Sequence, residues 1–216
     1  SQWGIKVDVY SGTNFNTFKG SWSVGSIYFW LTDRGSPPLP SQGPYFTVSK
    51  LTNKAPKWAA ALLNPSATQW TYWSLRYSGR LYLPWSSFRV GVWHDDGVRV
   101  TVCGVRVVDS WITTSPRFDS NSVSCPTAGV NDVTVEYFEG AGEAVLIFVV
   151  GPTTGNEAYI PTIDGAWYCN NFRWSGAQAG TCSSTWTFVS AASGVPYFVV
   201  DGYTPGGSDG VGAPAP

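Results

Sequence analysis

Residues 87–108 read SFRVGVWHDDGVRVTVCGVRVV. Phe88, Val90 and Val92 alternate with Arg89 and Gly91 up to the run His94-Asp95-Asp96-Gly97. Beyond it, Val98, Val100 and Val102 alternate with Arg99 and Thr101. A period of two marks an extended chain with one face buried, because successive side chains of a strand point to opposite sides. Asp-Asp-Gly is turn chemistry: short carboxylates satisfy nearby backbone N–H groups, and Gly accepts backbone angles that other residues resist. Two strands joined by an acidic turn are therefore the unit from which the fold is read.

The same pattern extends outward. Asp132–Phe138 places Val133, Val135 and Tyr137 on one face, and Glu139-Gly140-Ala141-Gly142-Glu143 reads as a hairpin turn. The turn leads into Ala144–Val150, which is apolar on both faces and is expected in the middle of a sandwich. The one helical candidate is Lys57–Leu63, short and ended by Asn64-Pro65. After Gly151 the composition shifts toward Gly, Pro, Ser and Thr, with strand-like runs at Thr185–Val189 and Tyr197–Val200. The last stretch, GGSDGVGAPAP, has no residue able to anchor a core. Many short strands separated by turns predict an all-β fold, an antiparallel β-sandwich over residues 1–150. A Gly/Pro-rich β extension is expected over 151–216, packed on that domain or on a neighbouring subunit.

Composition narrows the function. Charged residues make up 12% of the 216 and the net charge is −1, with no basic run, so nucleic acid is not an expected partner. No apolar stretch reaches the roughly 18–20 residues of a membrane-spanning helix, so membrane insertion is not expected. The sequence has no Met, even at its first position, and its four Cys are an even number. Together these set the expectation of a secreted chain with its leader removed and two disulfides. Three pairings are open; Cys103–Cys125 with Cys169–Cys182 is favoured because both close short loops.

Catalysis finds little support. A Ser-His-Asp arrangement would have to use His94, the single His, and no nucleophile-elbow motif is present. Glu136, Glu139 and Glu143 read as surface charge around a hairpin rather than as a paired acid and base. The chain is read as non-enzymatic. Aromatics reach 16%. Trp70, Tyr72 and Trp73 form one group, in which alternation sets Trp73 opposite the other two. Trp167 and Trp174 flank or occupy the expected Cys169–Cys182 loop and are candidate ligand contacts, since Trp faces stack on sugars and anchor interfaces alike.

Residues 76–111, RYSGRLYLPWSSFRVGVWHDDGVRVTVCGVRVVDSW, resemble the most specific block of the protective-antigen-type (PA-fourteen) domain. The opening, Trp3-Gly4 to Val9-Tyr10 with Ile27-Tyr28-Phe29-Trp30, and residues 132–150 resemble its first and closing strands. The resemblance covers about residues 3–150. It implies a β-sandwich of the kind found in flocculins, adhesins and toxins. It also implies a role for Asp95 and Asp96: in flocculin-type members this pair is joined by a cis peptide and binds calcium, which in turn binds sugar hydroxyls. Calcium takes 6–8 oxygens, so further donors are needed, and Asn156 is the candidate. His94 is a candidate to touch a ligand, against the plainer reading of a packed residue. The chain departs from the family at Cys103-Gly104, where an Asp-Gly turn is usual; Cys103 there is expected to staple the turn to Cys125. Two functions follow. The favoured expectation is a self-assembling subunit, a homo-oligomer or homopolymer of an extracellular filament or surface layer, from the low charge and the unanchored tail. The alternative is a calcium-dependent adhesin that binds carbohydrate.

Overall fold

The computed structural model describes residues 5–32, 52–154, 159–163, 166–169, 187–188 and 194–200, with the backbone alone at 166–169 and 187–188. Its strands are β1 (Ile5–Ser11), β2 (Thr17–Val24), β3 (Tyr28–Leu31), β4 (Trp73–Leu83), β5 (Ser87–Asp95), β6 (Gly97–Val102) and β7 (Val105–Ser110). They continue with β8 (Arg117–Ser124), β9 (Gly129–Glu139), β10 (Ala144–Pro152), β11 (Tyr159–Pro161), β12 (Ala166–Cys169), β13 (Thr187–Phe188) and β14 (Tyr197–Val199). Among the described residues one helix, α1 (Lys57–Leu63), lies where the sequence placed it and buries Trp58, Ala59 and Ala60. Among the described residues no helix is long and apolar enough to cross a membrane.

Two antiparallel sheets face each other. The first runs β2-β1-β4-β9-β6-β7, with β14 also paired to β4; the second runs β13-β12-β11-β10-β5-β8, with β3 also paired to β10. Alternation decides which side chains meet between them. Val7 and Val9 of β1, Leu75 and Tyr77 of β4, and Val133 and Val135 of β9 face Phe88 and Val90 of β5 and Leu146 and Phe148 of β10 in one core. Each such side chain removes apolar surface from water, worth about 1.5–3 kcal/mol apiece. The odd-numbered residues of β10, Val145, Ile147 and Val149, pack with Tyr28, Trp30, Trp93 and Ile160 in a separate cluster on the far side of the second sheet. Burial on both faces and a central place in its sheet agree with the apolar reading of Ala144–Val150.

Two expectations change. Residues 139–143 do not close a hairpin: β9 pairs with β4 and β6 in the first sheet, and β10 pairs with β5, β3 and β11 in the second. The stretch is a crossing between sheets. Alternation reports the face a strand buries but not the sheet it joins, so two neighbouring strands of like pattern read as a hairpin. The boundary expected at Gly151 falls inside β10. Beyond it β11 extends the second sheet and β14 the first, with Ile160, Ile163 and Phe198 buried. The described parts of the extension thus complete the sandwich. The tail 201–216, on which the expectation of assembly rests, lies outside the described residues.

The candidate site at the acidic end of the sandwich

The turn after β5 is also a crossing. β5 belongs to the second sheet and β6 to the first, so Asp95 and Asp96 sit where the chain passes between them. The β9–β10 crossing lies at the same end. The Asp96 N–H donates to the Phe138 carbonyl (3.2 Å), which docks one crossing on the other. Two sheet-to-sheet turns packed side by side bring Glu139 to the Asp pair.

The result is a cluster of three carboxyl groups. Asp95, Asp96 and Glu139 are 4%, 2% and 0% exposed, and each offers an oxygen within 4.8 Å of the others. The Asp95–Asp96 peptide is cis, as the resemblance implies. Asp96 is held from two sides: Oδ1 accepts from the Thr114 N–H (3.0 Å) and Oδ2 from the Gly140 N–H (2.8 Å). The Tyr137 hydroxyl donates to the Asp95 carbonyl and lies 3.1 Å from Glu139 Oε2. Glu139 Oε1 is buried with no hydrogen-bond partner. Burial first, then the charge of Asp96, its carboxyl–carboxyl hydrogen-bonding contact and the charge of Asp95, push the Glu139 carboxyl up to about 11. Three negative charges cannot share so dry a space without a compensating positive one, and in this protein that is a proton or a cation.

The donor set fits calcium. Oxygens bound to one calcium at about 2.4 Å lie within about 4.8 Å of each other. The cluster meets that limit with three carboxylates, and an orphaned buried oxygen belongs to one of them. Asn156, the expected further donor, lies outside the described residues, as do Trp174 and Cys182 and the side chains of Trp167 and Cys169. Cys103 and Cys125 are disulfide-bonded.

His94 is not a surface ligand contact. It is 0% exposed and both ring nitrogens are engaged: Nδ1–H donates to the Asp96 carbonyl (2.6 Å), and Nε2 lies 2.5 Å from Asp119 Oδ2. That contact, with Arg117 beside it, lowers the Asp119 carboxyl to about 2. His94 thus ties the acidic turn to β8 and positions it from beneath. Glu139 and His94 share a signal that was present in the sequence. Val133, Val135 and Tyr137 face the core, and Glu139 is the next residue of that series; Phe88, Val90 and Val92 face the core, and His94 follows them. A polar residue continuing a core-facing series is a buried one.

At the rim of the cluster stands Tyr72, 60% exposed, while its neighbour Trp73 is wholly buried. The expected grouping is only partly met: Trp70 packs against the same core as Trp73, and alternation does not reach Trp70 and Tyr72 because β4 begins at Trp73.

No protein-family model matches the sequence, and no curated protein matches it. Solved structures do resemble the fold. An anti-sigma factor domain-containing protein from Clostridium clariflavum superposes with a TM-score of 0.54 at 15% identity over 82% of this chain, which spans 50% of that protein's length. The PA14 domain of the MpAFP antifreeze protein gives 0.52 at 15% identity, covering 72% of this chain and 85% of that one. A PA14 sugar-binding domain from an RTX adhesin gives 0.50 at 17% identity, covering 72% and 93%. The chain therefore has the β-sandwich fold of PA14 domains, as the block at residues 76–111 led one to expect.

Proposed function

We propose that this chain is an extracellular, non-enzymatic adhesive module that binds carbohydrate through a divalent cation held at the acidic end. One observation carries the reading: two sheet crossings converge three buried carboxyl groups, one with an orphaned oxygen, beside an exposed rim. Asp95, Asp96 and Glu139 would hold the cation; calcium there would supply the positive charge and the open coordination that sugar hydroxyls could fill. The rest of the machinery is the protein's own. Thr114 and Gly140 orient Asp96, Tyr137 fixes the Asp95 backbone, and His94 with Asp119 buttresses the turn. The sugar-binding PA14 domain among the structural neighbours supports the same reading.

The test is calorimetry with calcium chloride, followed by glycan-array binding in calcium and in chelator. Wild type should take up calcium and bind glycan only with it; Asp96→Asn and Glu139→Gln should lose both while keeping the wild-type circular dichroism spectrum. Glycan binding that ignores chelator, or a chain that takes up no calcium, overturns the reading.

A further inference from the structure

Tyr72 combines three properties. Its ring is exposed, its backbone has a φ of +56°, and that backbone is pinned on both sides. The Tyr72 N–H donates to the Gly140 carbonyl (2.7 Å), and its own carbonyl accepts from the Gly12 N–H (2.7 Å). A bulky residue in the left-handed region is strained, and such a conformation persists where the surroundings impose it. Glycine or asparagine would relieve the strain, and an exposed aromatic gains nothing from the core.

The pinning fixes the ring beside the carboxylates. A side chain added at Gly140 would meet Asp96 Oδ2 at 3.3 Å and Tyr72 Cε1 at 4.0 Å. Gly140 thus lies between the ring edge and the cluster, and its lack of a side chain lets the two approach each other closely. A saturated sugar ring has polar hydroxyls at its edge and apolar C–H groups on its face. It can direct the hydroxyls toward a cation and lay its face on an aromatic ring.

We propose that Tyr72 is the stacking platform for the sugar ring whose hydroxyls address the Asp95-Asp96-Glu139 site; this deepens the functional reading above and rests on it. The experiment uses the whole chain with Tyr72→Gly, Tyr72→Ala and Tyr72→Phe. Each is titrated with calcium chloride alone, then in calcium with the oligosaccharide that wild type binds best on the array. Tyr72→Gly and Tyr72→Ala should weaken oligosaccharide binding about tenfold. Tyr72→Phe should retain it, and all three should bind calcium as wild type does. Tyr72→Gly relieves the backbone strain, so its loss of binding with undiminished thermal stability separates recognition from folding. Wild-type oligosaccharide affinity in Tyr72→Gly overturns the platform and leaves the cation reading standing. Calcium affinity that falls in step with oligosaccharide affinity also overturns it. A wild type that binds no glycan in calcium overturns both.

Discussion

The two ends of the sandwich are closed by different chemistry. At one end Cys103, at the tip of the β6–β7 hairpin in the first sheet, is bonded to Cys125, which follows β8 in the second. At the other end the sheets are joined by the crossings that carry Asp95, Asp96 and Glu139. One clasp is covalent and indifferent to pH and ions in an oxidising medium. The other is built from like charges and is closed only with a proton or a cation among them. Structural permanence and chemical responsiveness are thus placed at opposite ends of one core, and the proposed ligand site is at the responsive end.

The largest effect should come from the core that both ends share. Phe148→Ala should cost about 3–5 kcal/mol in urea unfolding, equally with calcium or chelator present. Next is the covalent end. Cys103→Ser with Cys125→Ser frees a loop of sequence separation 22 and should cost about 3 kcal/mol, again without regard to calcium. A loss that depended on calcium would break the separation of the two ends.

The acidic end should respond with opposite sign. Glu139 is raised to about 11 when folded, against 4.5 as its ordinary value. The folded protein therefore holds a proton that the unfolded chain releases, and in chelator stability should fall as pH rises from about 4.5 toward 11. For one proton the fall between pH 6 and pH 8 is at most about 3 kcal/mol. Calcium should flatten that slope, and Glu139→Gln should abolish both the slope and the response to calcium; a slope unchanged in Glu139→Gln would place the proton elsewhere. The smallest effect belongs to the turn at Cys103. Gly104 has a φ of +79° and open space around it, so Gly104→Ala should cost about 1 kcal/mol from backbone strain alone and leave calcium binding unchanged.

Most of the sandwich was legible because alternation is a local signal. The faces of β5, β6 and β9, the double burial of β10, the helix at Lys57–Leu63 and the Cys103–Cys125 bond all follow from residues close in sequence. Glu139 was missed because its role depends on which sheet β10 joins, a long-range fact that no local pattern encodes. His94 was weighed as a ligand contact for a related reason. Its parity with Val90 and Val92 placed it inward, but its partner Asp119 lies on another strand. Strand faces were written in the sequence; the meeting of the carboxyl groups was written in the pairing.

β10 has a consequence of its own. Its residues from Ala144 to Val150 are at most 1% exposed, and it is bordered by β5 along one edge and by β3 and β11 along the other. Its amides have no local route to solvent, so their deuterium uptake proceeds only through global opening. The exchange rate at Leu146 or Phe148 is then a gauge of the whole molecule's stability. Read alongside amides at Gly140 and Cys125, it would show which clasp opens ahead of the rest.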